Sequence, residues 1–203
     1  MIINQSQIET YLPANSLEHV RAELSKIKVS LKIEIKPQRK TRYGDYRRYP
    51  DGSHKITVNN NLNAQEFLLT LLHELAHLIT FLRYGVKVKP HGKEWKLTYK
   101  LLMLPMINDK IFNAETLPLI AKHFKNPKAS IDSDYQLAFL LRGNRRIQNK
   151  TCVFQLDDGA VFTVDKKRTF VKEGKKTKKM VCKDLDTGKR YLFHPNVEVE
   201  LVK

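Results

Sequence analysis

Residues 61–85 read NLNAQEFLLTLLHELAHLITFLRYG, and this stretch decides the fold of the chain. Apolar residues occupy most positions from 67 to 82, which predicts a helix that is buried on nearly all of its sides. The asparagines at 61 and 63 can cap the amino-terminal end of a helix over 64–84, and Gly85 can end it. We therefore expect a buried central helix.

The motif HELAH, residues 73–77, lies in the middle of this helix. Residues four apart share a helix face, so His73 and His77 can bind one metal ion, and Glu74 can reach a water at an open position of that ion. These three are the only ionisable residues between positions 66 and 83. Burying them costs on the order of several kcal/mol each unless they are paired or bound to metal. The alternative is a pair of hydrogen-bonded core histidines.

A third metal ligand is expected just after this helix. His91 follows His77 by 14 positions and directly precedes a helix predicted over 92–103. Imidazole suits zinc, so we assign His91 as the third ligand of one zinc ion per chain, with Glu94 as the alternative. Trp95 and Tyr99 share the helical face of His91 and are interpreted as packing residues.

Further elements flank the central helix. Upstream, the patterns predict a helix over 16–26, strands over 29–35 and 42–49, a turn over 50–53 and a strand over 55–59. Downstream, they predict helices over 115–124 and 134–141. Short β-like runs follow at 151–156, 160–164, 180–183 and 190–193, and the charged segment 166–179 is interpreted as an exposed, mobile loop.

Composition limits the class of protein. The 203 residues include 41% hydrophobic residues, enough for a core, and 37 Lys and Arg against 21 Asp and Glu, a net charge of +16. Such a charge attracts polyanions, of which nucleic acid is the commonest in a cytosol. Two cysteines exclude a disulfide scaffold and a four-cysteine zinc ribbon. No membrane-spanning run or signal-peptide pattern is present, so we expect a cytoplasmic protein without a membrane partner.

The residues HELAH at 73–77 followed by HGKEW at 91–95 resemble the SprT-like metallopeptidases, which include the bacterial SprT proteins and the eukaryotic protease Spartan. The resemblance covers roughly residues 10–125. It implies an α+β fold: a small, minigluzincin-like zincin core with a three-stranded sheet, the HExxH helix and flanking helices. It also implies zinc held by His73, His77 and His91, with Glu74 as the general base.

The implied function is that of a zinc-dependent endopeptidase in a nucleic-acid context, because Spartan-type members cleave proteins crosslinked to DNA. The expected partners are therefore a protein substrate and DNA. Two alternatives remain: a nucleic-acid-binding protein with a structural or vestigial zinc site, and a zinc hydrolase that is not a protease. Candidate oxyanion donors are Tyr43, Tyr84 and Tyr99, and the strand over 42–49 can serve as an edge that pairs with an extended substrate.

The carboxyl-terminal part departs from the family pattern, which often includes a four-cysteine zinc ribbon. Cys152 and Cys182 stand alone and are interpreted as buried apolar residues. We predict a core over 1–125, a helical and basic linker over 126–150, and a small, basic all-β domain over 151–203 in place of the ribbon. Aromatic residues at 170, 191 and 193 offer stacking platforms for bases. The candidate nucleic-acid contacts are Arg145, Arg146, Lys175, Lys176, Lys178 and Lys179.

Overall fold

The chain divides into two compact units between Leu141 and Arg142. The computed structural model describes residues 2–3, 5–39, 41–143 and 150–202. Residues 126–141, expected in a linker, belong to the first unit, where Leu137 and Leu141 lie in the hydrophobic core. None of the described helices is both long enough and apolar enough to cross a membrane.

The first unit has a mixed sheet of four strands: β1 (Ile2–Ile3), β2 (Leu31–Lys36), β3 (Gly44–Arg48) and β4 (His54–Asn59). Their order in the sheet is β1-β2-β4-β3, so β3 lies at an edge. β2 runs parallel to β4, and β3 runs antiparallel to β4. The three predicted strands are present, and the two-residue strand β1 is added beside β2.

The central helix α3 (Ala64–Tyr84) has the predicted bounds. Asn63 caps it: its side chain accepts a hydrogen bond from the amide of Glu66, whose carboxylate accepts one from the amide of Asn63. Gly85, at φ 70°, ends the helix in a backbone conformation that favours glycine. The helix packs against β3, β4 and the next helix.

Shorter helices complete the first unit. Trp95 and Tyr99 are buried, which confirms the prediction that they are packing residues. The Tyr99 hydroxyl donates a hydrogen bond to the Leu69 carbonyl at 3.0 Å, so it is committed to the core. The helices are α1 (Gln5–Glu9), α2 (Leu17–Ser25), α4 (Lys93–Met103), α5 (Thr116–Lys125) and α6 (Tyr135–Arg142).

The second unit is an antiparallel sheet of six strands, which follow one another along the chain from residue 151 to residue 201 and are numbered β5 to β10. Their order in the sheet is β5-β10-β6-β7-β8-β9. The core of this unit includes Phe162, Phe170 and Met180. Cys152 and Cys182 are not joined in a disulfide, and both are buried, as expected for small apolar residues. The strands are β5 (Thr151–Cys152), β6 (Val161–Val164), β7 (Arg168–Lys176), β8 (Lys179–Asp184), β9 (Arg190–Phe193) and β10 (Glu198–Leu201).

The prediction of a mobile loop over 166–179 is wrong, because most of this segment is strand β7, paired with both β6 and β8. Along the strand, Phe170 and Lys172 are buried. The Lys172 ammonium donates to the Leu156 carbonyl at 2.5 Å and lies 3.2 Å from an Asp158 carboxylate oxygen, so its charge is compensated inside the unit. The sequence gives no sign that Lys172 is buried, so this strand was interpreted as a run of solvated charges.

Candidate metal centre and catalytic site

Three histidines converge at one point in the first unit. α3 places His73 and His77 one turn apart, and His91 stands just before α4. The Nε2 atoms are 3.2 Å apart for His73 and His77, 3.0 Å for His77 and His91, and 3.2 Å for His73 and His91. The structure thus brings together the three residues that the sequence assigned as ligands.

The spacing of these nitrogen atoms fits zinc. Nitrogen ligands about 2.0–2.1 Å from a tetrahedral zinc ion lie roughly 3.3 Å from one another, close to the separations seen here. In the part of the chain that the structure describes, these histidines form the one group of three metal-binding side chains at ligand spacing. Glu94, the alternative third ligand, is outside that group.

The histidines are held in the neutral form that binds metal. Burial lowers the pKa of His73 to about 3, helped by the neighbouring His77 and His91, and lowers the pKa of His77 to about 4. Burial also lowers the pKa of His91. A neutral imidazole whose proton lies on Nδ1 offers an unprotonated Nε2, so the three Nε2 atoms can bind one cation together.

The turn before α4 explains the His-Gly pair at 91 and 92. His91 has φ 57°, in the left-handed region. The amide of Gly92 donates to the Lys89 carbonyl at 2.9 Å, and a Cβ on Gly92 would lie 2.8 Å from that oxygen. A residue with a side chain at 92 would open this turn, so the glycine helps to hold His91 against α3.

Trp95 packs against all three histidines. The centroid of its ring lies 4.7 Å from that of His73, 5.3 Å from that of His77 and 4.6 Å from that of His91. Its indole N–H donates to the His73 carbonyl at 3.4 Å. Trp95 thereby restricts the orientation of each ligand from one side.

Glu74 is buried beside the histidines, with 8% of its surface exposed. Burial, together with the negative charge of Asp45, raises the pKa of Glu74 to about 8. The carboxyl faces strand β3, because a Cβ built on Gly44 would lie 2.7 Å from Glu74 Oε1. A buried carboxyl with a raised pKa next to a metal-binding cluster has the character of a general base.

Strand β3 crosses α3 so that alternate residues meet successive turns of the helix. Gly44 lies against Glu74, the Tyr46 ring lies parallel to the His77 ring at 6.4 Å, and the Arg48 guanidinium lies 4.8 Å from the Phe81 ring. Sequence reasoning missed Gly44 and Tyr46 as residues of the site. The alternation of 44, 46 and 48 on one face of a strand was the available signal.

Tyr46 is the tyrosine nearest to His77 among the ring contacts of the described residues. Its hydroxyl lies 2.9 Å from His54 Nδ1, and burial raises its pKa to about 12. Of the three tyrosines proposed as oxyanion donors, Tyr99 is committed to the core, and Tyr43 and Tyr84 are exposed. The Tyr46 hydroxyl is likewise paired, with His54, and what the sequence did not indicate is the packing of the Tyr46 ring beside His77.

A comparison with protein families gives a match to the SprT-like family over residues 13–116, just over half of the chain. The chain belongs to the SprT-like family. The matched region of this SprT-like protein contains all three histidines and Glu74.

Two proteins named Protein SprT illustrate the similarity. The one from Pseudomonas fluorescens (strain Pf0-1) is 31% identical over 94 residues, which cover 44% of this chain and 57% of that protein. The one from Vibrio parahaemolyticus serotype O3:K6 is 57% identical over 35 residues, which cover 17% of this chain and 21% of that protein. The chain thus spans just over half the length of the first relative and about a fifth of the second. No solved structure matches the chain significantly.

The four lysines proposed for nucleic-acid contact belong to the second unit. Arg145 and Arg146 lie outside the described residues. The aromatic Phe170 is buried, whereas Tyr191 and Phe193 are half-buried. The lysines lie at the tip of the β7–β8 hairpin and are all exposed: Lys175, Lys176, Lys178 and Lys179.

Proposed function

We propose that this SprT-like protein is a zinc-dependent endopeptidase. The observation that carries the proposal is the convergence of three neutral histidine nitrogens, 3.0–3.2 Å apart, beside a buried glutamate. Structural zinc sites take four protein ligands, whereas catalytic sites take three and leave a position open. The set of three histidines therefore favours an enzyme over a structural zinc protein.

In this mechanism, His73, His77 and His91 would hold a zinc ion, which when bound would polarise the scissile carbonyl and make water more acidic. The Glu74 carboxylate accepts a proton from the attacking water and later delivers it to the leaving amine.

The free edge of β3 is suited to hold an extended substrate. The amide of Asn59 donates to the Tyr43 carbonyl, and the amide of Tyr49 to the Ser53 carbonyl, both at 2.9 Å. Antiparallel pairing alternates, so the peptide groups of 44, 46 and 48 point away from β4. A peptide added along this edge would run beside the residues that face Glu74 and His77.

We propose DNA-bound or DNA-crosslinked proteins as the substrate class. The support is the net charge of +16, together with the four exposed lysines at the tip of the β7–β8 hairpin. These lysines stand on a defined hairpin, so their charges are presented together rather than spread along a loop. The family relationship is consistent with this substrate class.

The decisive test compares wild type with Glu74→Gln in a cleavage assay on a basic protein substrate, with and without DNA. The amide cannot accept a proton, so the variant should bind zinc in full but lose cleavage. His77→Ala is the matched control, because it should lose zinc and activity together. Undiminished cleavage by Glu74→Gln would overturn the proposed mechanism.

A further inference from the structure

Gly44 occupies a position on β3 where there is no room for a side chain. A Cβ built there would lie 2.7 Å from Glu74 Oε1, 2.7 Å from Thr70 Cγ2 and 2.9 Å from Glu74 Cγ. Carbon atoms in favourable contact are about 3.5–4.0 Å apart, so all three distances are too short.

The reason for glycine is space and not backbone conformation. Gly44 is absent from the residues with positive φ, and it pairs with Val58 in regular antiparallel register. Any residue can adopt that backbone. What an alanine would meet is the carboxyl of a buried glutamate and the methyl group of a threonine one turn earlier on α3.

We propose that Gly44 is a positioning residue for Glu74. The bare backbone of β3 and the Thr70 methyl group form a slot that fixes the Glu74 carboxylate, and a side chain at 44 displaces it. The proposal rests on the proposed role of Glu74 as general base. The backbone N–H and C=O of Gly44 also point to the free edge of β3. Gly44 therefore adjoins both the Glu74 carboxyl and the edge along which an extended substrate would pair.

The activity test uses Gly44→Ala, Thr70→Ser and the double variant. Misplacement of the base should lower kcat by about 10- to 100-fold in Gly44→Ala while KM and zinc affinity change little. Removal of the Thr70 methyl group gives Glu74 room to yield, so the double variant should recover part of kcat. Lys32→Ala, an exposed change on β2 of the same sheet, is the matched control and should keep kcat. A wild-type kcat in Gly44→Ala would overturn the proposal, as would a loss confined to KM.

A second readout does not depend on catalysis. Glu74→Ala removes Cγ and Oε1, two of the three atoms that block a side chain at 44. Gly44→Ala should therefore lower the urea midpoint of the zinc-free protein clearly in the wild-type background and much less in the Glu74→Ala background. Equal shifts in both backgrounds would overturn the proposal, even if the protein proves not to be a peptidase. If Gly44→Ala alone fails to fold, the variant that combines Gly44→Ala with Glu74→Ala must still fold. Failure of that combined variant to fold counts against the proposal.

Discussion

Of the three clustered histidines, His91 is the one whose place depends on a turn rather than on a helix. We predict that His91→Ala lowers zinc affinity by more than the roughly 10- to 100-fold that loss of an outer partner costs. Glu94→Gln should leave the affinity nearly unchanged, because Glu94 is outside the cluster. Isothermal titration of the zinc-free variants measures both constants. A larger loss in Glu94→Gln would reassign the third ligand.

Trp95 is the side chain that touches every ligand. Trp95→Phe removes the indole N–H that donates to the His73 carbonyl and leaves the ligands less restrained. We predict a loss of zinc affinity of about 10-fold with the fold retained. Phe112→Leu is the control, since Phe112 is equally buried in the same core and should change stability without changing affinity. Equal zinc affinity in Trp95→Phe and wild type would show that the ring only fills space.

The sequence was sufficient to place His73, Glu74 and His77 close together, because helix geometry brings residues one turn apart onto the same face. His91 required the wider motif, since its approach depends on a turn with positive φ. Gly44 and Tyr46 were missed because they contact helix residues some thirty positions later in the chain. Alternation puts residues 44, 46 and 48 on one face of the strand, but it does not say which turn of a distant helix each of them meets.

At the scale of elements, Asp184 ties the hairpins of the second unit together. Its buried carboxylate accepts hydrogen bonds from the amides of Asp186 and Thr187 at 3.0 and 2.8 Å, and from the Arg168 guanidinium. The hydrogen bond from the Thr187 amide is the largest of the effects that lower its pKa to about 2, and Arg168 contributes as well.

This pKa gives a prediction about acid stability. Because the folded-state pKa lies below the usual 3.8, the stabilisation is complete above about pH 4 and is lost as the pH falls towards about 2. Asp184→Asn should destabilise the second unit at pH 7 and flatten its pH dependence between 4 and 2. Amide NMR signals of residues 150–202 during urea unfolding report this. Asp186→Asn, an exposed change in the same turn, should retain the wild-type dependence.

The helices were predicted more closely than the strands of the second unit. Helices α3 to α6 follow local periodicity and caps, so their bounds could be read to within about two residues. β10 pairs with β5 and β6, which are distant from it in sequence. β7 pairs with its neighbours in sequence, but its buried face includes Lys172, so its residues do not alternate simply between apolar and polar. The charges in the sequence could not distinguish an exposed loop from a strand in which Lys172 contacts the Leu156 carbonyl and the Asp158 carboxylate.

For the whole molecule, the net charge of +16 predicts binding to DNA that is mostly electrostatic. Replacing the four hairpin-tip lysines with glutamine should reduce the slope of log K against log salt by roughly 0.7–0.9 for each phosphate that a lysine no longer neutralises. Fluorescence anisotropy with single- and double-stranded DNA measures the slope.

A variant with equal charge change is the control for this experiment. It replaces four exposed lysines on helices of the first unit, namely Lys93, Lys100, Lys122 and Lys125. A greater loss of affinity in the hairpin variant supports local binding of DNA by the hairpin. Equal affinity and slope in wild type and the hairpin variant would show that the hairpin does not touch DNA.

The position of Trp95 makes it possible to measure the opening of each unit separately. The chain has one tryptophan, at the ligand cluster of the first unit, and two cysteines, both buried in the second. Intrinsic fluorescence therefore reports opening of the first unit, and the rate of thiol labelling reports opening of the second. A single preparation of the protein can thus reveal whether the two units open together or separately, and which of them a metal or a nucleic acid holds shut.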